Sequence, residues 1–153
     1  MIQLIIRFSP ISIGSMMFWF GELDFVESFF NTVCYRLENR KWGSRFPRLM
    51  VDLFDGKVKY ENIDEFEIEI STVENELKNF KIQQVVYDLN DPSVEPPWHQ
   101  SGISDELTNL SDYWVTSDGK KLFRNFHMAI GESKRLKQPL FLASSHDDVL
   151  TLV

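Results

Sequence analysis

The sequence predicts an α+β fold, with α/β as its neighbouring alternative: one domain over residues 1–153, a mixed β-sheet of about five strands and three longer helices. Three observations lead there. Short apolar runs bounded by Gly, Pro, Asn and Asp are separated by longer segments whose apolar residues recur every three or four positions. A chain of 153 residues is long enough to bury a real core without splitting in two. With 13 Phe and 14% aromatic residues, that core is expected to be built largely from rings.

Taken in order, Ile2-Gln3-Leu4-Ile5-Ile6-Arg7-Phe8 reads as a mostly buried strand. Arg7 inside the run and Pro10 just after it deny the continuous apolar core of a signal peptide, and no stretch approaches the length of a membrane span. Met16 to Phe20 is a second strand, joined to the first as a hairpin through Ser12-Ile13-Gly14-Ser15. Asp24, with Glu27 three residues on, is placed to cap a helix that ends before Gly43. Phe25, Val26, Phe29, Phe30, Val33 and Leu37 form its apolar stripe, and Arg36, Arg40 and Lys41 suit its negative end. Cys34 lies on this helix among apolar neighbours, where a small buried hydrophobe is expected; a lone cysteine also fits a reducing, cytoplasmic setting. Pro47 opens a short helix carrying Leu49, Met50, Leu53 and Phe54, closed by Asp55-Gly56.

Residues 62–80 fit two patterns. Glu65 to Ile70 alternates like a half-buried strand that a capped helix would follow, whereas Ile63, Phe66, Ile70, Val73, Leu77 and Phe80 keep helical spacing throughout. The longer pattern accounts for more residues and predicts one helix. Val85-Val86-Tyr87 and Tyr113-Trp114-Val115-Thr116 are expected as strands on either side of a polar connection. Ser117-Asp118-Gly119 then hands the chain to a helix from Asp118 to about Lys137, burying Leu122, Phe123, Phe126, Ala129 and Ile130. Pro139 to Ala143 is the last strand, and residues 144–153 carry no clear signal.

Charge is unevenly spread. The formal net is −7, but residues 1–53 carry +1, residues 54–118 carry −11 and residues 119–153 carry +3. A concentrated acidic surface repels nucleic acid and steers basic partners; it also arises wherever a helix simply presents a solvated face. Catalytic sets do not emerge. His99, His127 and His146 lack metal-ligand spacing, the seven Gly form no phosphate loop, and Ser or Asp ahead of a helix is ordinarily a cap. No metal or cofactor is expected.

The connection between Tyr87 and Tyr113 is the most distinctive stretch. Pro96 and Pro97 stiffen the approach to Trp98, and Glu95, Asp105, Glu106 and Asp112 surround it in sequence. Two roles are open to Trp98: a plug at the edge of the core, which the burial habit of large aromatics favours, and an anchor presented to a partner. The segments VVYDLND, PPW and LTNLSDYWVTSDGKKLF, and more loosely WGSRFP (residues 42–47) and Glu76-Leu77, resemble the immunity protein 70 family of bacterial polymorphic toxin systems. His99 departs from the family pattern, which has glycine there. The resemblance implies a small cytoplasmic protein that binds and neutralises a cognate secreted toxin and is not an enzyme. Joined to the acidity, it implies a basic toxin domain, a nuclease being one such class, met through Trp98, Glu95, Asp105, Glu106 and Asp112. No membrane or direct nucleic-acid partner is expected. The alternative is a small enzyme using carboxylates and His99 near the Trp98 loop.

Overall fold

A computed structural model describes residues 2–7, 14–116 and 118–143. It is an α+β fold built on one four-stranded antiparallel sheet. Strands β1 (Ile2–Arg7), β2 (Ser15–Gly21), β3 (Lys57–Val58) and β4 (Leu140–Ala143) stand in the order β2-β1-β4-β3. The β1–β2 pairing agrees with the expected hairpin, whose connecting residues 8–13 lie outside the described ones.

Alternation decides which side chains the sheet turns toward the helices. Leu4, Ile6, Phe20, Val58 and Leu140 join the main core, whereas Ile5, Phe141 and Ala143 form a small separate cluster. Three longer helices supply the other layer: α1 (Leu23–Thr32), α2 (Ile63–Leu77) and α4 (Leu122–Leu136), with a single turn, α3 (Leu110–Tyr113), between the last two. Residues 62–80 thus follow the helical pattern, α2 with a 3₁₀ turn before it. Rings fill the centre. Phe29 meets Phe20, Phe30, Trp114, Phe123 and Phe126 with centroids 5.2–5.8 Å apart, mostly edge to face. Phe30 and Phe126 are both fully buried, as is Cys34 at 1% exposure, and burial pushes the Cys34 thiol up.

Several expectations are corrected. The sheet has four strands, not five, and is antiparallel throughout rather than mixed. Val85-Val86-Tyr87 buries its two valines but joins no sheet, and the chain bends at Tyr87. Its backbone is satisfied by α1 side chains: Thr32 Oγ1 accepts from Val86 N at 2.8 Å, and Asn31 Nδ2 donates to Tyr87 O at 3.1 Å. Tyr113 ends α3, and Trp114 to Thr116 closes a tight loop back to Lys121 rather than a sheet strand, with Leu122 N donating to Trp114 O at 2.8 Å. The two-residue β3 is too short for a periodicity to reveal.

Helix ends also shift. Glu22 is the N-cap of α1, and Asp24 sits in the first turn, accepting only from the neighbouring Phe25 N. After Thr32 the chain widens into a π-helical turn, Val33–Leu37; Asn39 and Arg40 then take left-handed φ of 52° and 63°, leaving Arg40 and Lys41 off the helix. The short helix after Pro47 is a π-helical segment, Arg48–Leu53. Helix α4 starts at Leu122, four residues later than expected, because Thr116 and Lys120 close the loop ahead of it; Ser117 lies outside the described residues.

Two buried carboxylates fasten residues 38–54 to the core. Glu38, 2% exposed, accepts from the backbone N–H groups of Gly43, Arg45 and Phe46, each at 3.0 Å. Glu69 on α2 accepts from Arg48 N at 3.2 Å and Leu49 N at 2.9 Å, capping the π-helical segment. Neither role could be read from a sequence in which carboxylates are abundant.

Candidate functional site

Two prolines set the site's backbone. Pro96 is buried, Pro97 begins a 3₁₀ turn (Pro97–Ser101), and Gly102 leaves that turn at φ 89°, a conformation glycine accepts without strain. His99 sits inside this turn with ordinary negative φ, so its backbone asks for no glycine. Trp98 is half-buried. Its indole meets Phe25 of α1 edge-on at 5.7 Å and Tyr87 at 5.6 Å.

The Tyr113 hydroxyl ties the site together. It accepts from Trp98 Nε1–H at 2.7 Å and lies against His99 Nε2. Having accepted one bond it has its own proton to give, which a neutral His99 receives at Nε2. The electrostatics agree. Burial lowers the His99 pKa, with nearby Glu95 pulling the other way, so the ring is neutral near pH 7. Burial also pushes the Tyr113 phenol up to about 12, so it stays a donor.

Around this triad lies a groove of about 420 Å³. Phe25, Trp98, Ile103, Leu107 and Val115 give it apolar lining, and His99, Tyr113 and Glu106 the polar part. A second groove of about 380 Å³ shares Phe25, Trp98 and Val115 and adds Glu22 and Asp24. Trp98 therefore borders both. Among the described residues, no lysine or arginine lines either groove.

The structure sorts the expected contact residues. Trp98 and Glu106 line one groove; Asp105 is exposed on the same loop, and Glu95 is exposed just before Pro96. Asp112 is compensated: Lys121 Nζ reaches its Oδ1 at 2.6 Å and Thr108 Oγ1 its Oδ2 at 3.2 Å. Phe25, Leu107 and Tyr113 belong to the site although the sequence marked none of them as contact residues. The adjacent aromatics Tyr113-Trp114 were a signal, but their assignment to a strand did not show which ring serves the groove and which the core. Trp114 donates to Ser28 Oγ in the core at 3.1 Å, while Tyr113 serves the groove.

Charge is also sorted by position. All six carboxylates of α2 are engaged. Glu65 pairs with Arg48 and Glu76 with Arg45; Asp64 and Glu67 share Lys134; Glu74 meets His127 at 2.8 Å; Glu69 holds its backbone donors. Such exposed pairs add little stability, and their three formal cations offset part of the helix's charge. By contrast, residues 82–119 hold seven carboxylates and no lysine or arginine, and among the described residues Glu95, Asp105 and Glu106 have no ion-pair partner. No group of His, Cys, Asp and Glu suited to a metal occurs among the described residues, and no described helix is long and apolar enough to cross a membrane.

Comparison with known proteins gives one finding. The family described as immunity protein 70 matches residues 11–142, most of the chain and all of the site above. No curated protein and no solved structure matches.

Proposed function

The chain belongs to the immunity protein 70 family, and from that premise we propose that it neutralises its cognate toxin by binding it through the face built around Trp98, without chemistry of its own. The observation that supports this is the charge sorting: α2 spends its carboxylates internally, while those beside the Trp98 grooves are left to act on a partner. Acidic residues with an aromatic at their centre suit a basic toxin surface, with Glu95, Asp105 and Glu106 steering and Trp98 anchoring. Asp112, already held by Lys121, contributes less. A nuclease domain is one class of toxin that fits, because a surface that binds phosphates carries Lys and Arg. The same charge disfavours nucleic acid as a direct partner. Binding would take place in the cytoplasm of the cell that makes the toxin.

Co-expression tests this. Cells making the toxin together with the wild-type chain should survive, the two proteins should co-purify, and the Asp105→Lys/Glu106→Lys variant should protect less well. A wild-type chain that neither co-purifies with the toxin nor protects would sink the reading.

A further inference from the structure

The groove between Trp98 and Glu106 has a chemistry specific enough to name what enters it. Its lining is mostly apolar and aromatic, and its only formally charged side chain among the described residues is Glu106. Glu106 is exposed and its carboxylate has no ion-pair partner there; its hydrogen bond, from the backbone N–H to Ser104 Oγ at 3.3 Å, leaves that carboxylate free. Two of the ring donors are already consumed, since Trp98 N–H goes to Tyr113 and Tyr113 O–H to His99, while the Nδ1–H of neutral His99 and the hydroxyl proton of Ser104 stay available. What remains for a ligand is aromatic surface, two neutral donors and one charge, the Glu106 carboxylate.

We propose that this groove receives an arginine side chain of the partner, its guanidinium lying against Trp98 and Phe25 and pairing with Glu106. The proposal rests on the toxin-binding reading for the identity of the partner, but not for the chemistry of the groove. An anionic group would meet the Glu106 carboxylate with no lysine or arginine in the lining to offset the repulsion. A purely apolar side chain would strip water from Glu106 and leave it unpaired, which is costly. Among cations, the ammonium of lysine is a compact, strongly hydrated point charge. The guanidinium is planar and weakly hydrated, stacks on aromatic rings and presents a fork of donors that matches a carboxylate. A groove of about 420 Å³ that is open to solvent admits such a side chain without rearrangement. Acidic Asp24 in the adjoining groove reinforces the preference for a cation from the other side of Trp98.

The test uses the free chain and three small probes: the acetylated amides of arginine, lysine and citrulline, the last a neutral analogue of arginine with nearly the same shape. The indole N–H resonance of Trp98 and the backbone amide of Glu106 are followed by NMR as each probe is added. Arginine amide should shift both saturably, and citrulline amide should bind about tenfold more weakly, the size of a cation–aromatic contact with a carboxylate partner. In Glu106→Gln, whose fold is unaffected because the carboxylate holds nothing else, that preference should fall to the roughly two- to threefold that the cation–aromatic contact supplies alone. Three results overturn the proposal: equal response to arginine and citrulline, a preference undiminished in Glu106→Gln, and no response up to the solubility of the probe. Lysine amide matching arginine overturns the choice of arginine. A groove that rejects arginine in a chain that still binds and protects against its toxin removes this inference alone. A groove that takes arginine in a chain that does neither removes the toxin reading, and with it the assignment of the arginine to a toxin.

Discussion

The Tyr113 hydroxyl is the smallest feature on which the site depends. It satisfies the half-buried Trp98 N–H and fixes the ring of neutral His99. Tyr113→Phe keeps the ring and removes only the oxygen. The indole N–H then has no partner, and the loss should cost about 1–3 kcal/mol. It should appear in chemical denaturation together with faster solvent exchange of the Trp98 indole proton; an unchanged midpoint would mean that the hydroxyl holds nothing. His99, by contrast, receives a bond and donates none to the triad, so His99→Ala should leave protection in cells intact or weaken it only in proportion to lost affinity. Glu69 offers a different test. Burial, outweighing its bonds from Leu49 N and Arg48 N, raises its pKa from 4.5 to about 7, with Glu65 adding to the rise and the Arg48 charge opposing it. Between those values the folded chain holds a proton that the unfolded chain has released. The stability this gives is complete below pH 4.5 and is lost as pH rises through 7. Glu69→Gln should remove that slope, read as the difference between variant and parent in unfolding free energy across the window. A difference that does not change with pH would contradict the assignment.

At the scale of elements, the fold separates what periodicity reveals from what it cannot. Helices α2 and α4 and the β1–β2 pair were legible because one burying face repeats over many residues. Val85-Val86-Tyr87 has the composition of a strand and is buried like one, yet the partner that satisfies its backbone is a set of side chains more than fifty residues away. Composition reports burial and extension; it does not report who supplies the hydrogen bonds. Tyr113 to Thr116 failed for the same reason, since the loop to Lys121 takes up those backbone groups. Of the candidate site, the sequence singled out Trp98 and Glu106, which line the groove; Glu95, Asp105 and Asp112 lie outside that lining, and Phe25, Tyr113 and Leu107 join it only through the fold. Two substitutions check this. Thr32→Ala leaves buried Val86 N without its acceptor and should destabilise the chain by about 1–3 kcal/mol, as a lost sheet bond would, although no strand lies there. Phe126→Ala empties the centre of the ring cluster and should cost about 3–5 kcal/mol. Thermal unfolding measures both, and a melt unchanged by Phe126→Ala would mean that α4 does not pack as described.

Over the whole molecule, the charge excess of residues 54–118 divides into two parts with different fates. The six α2 carboxylates are all held internally, five of them by Arg45, Arg48, Lys134 and His127, so that this part of the acidic section is partly compensated. Seven more lie in residues 82–119, a segment without lysine or arginine, and among the described residues Glu95, Asp105 and Glu106 there have no ion-pair partner, which leaves a net negative field beside Trp98. A field of that kind acts mainly on encounter and is screened over about 8 Å at physiological ionic strength. A buried aromatic anchor acts mainly on escape. The central claim, that this face meets a basic toxin, is therefore tested most directly by association and dissociation rates with the purified cognate toxin across a salt series. Asp105→Lys/Glu106→Lys should slow association by about tenfold at low salt, with the difference closing as salt rises and dissociation changing less. Trp98→Ala should do the opposite, speeding dissociation while leaving association nearly intact. Association rates indifferent both to salt and to the double reversal would contradict the account.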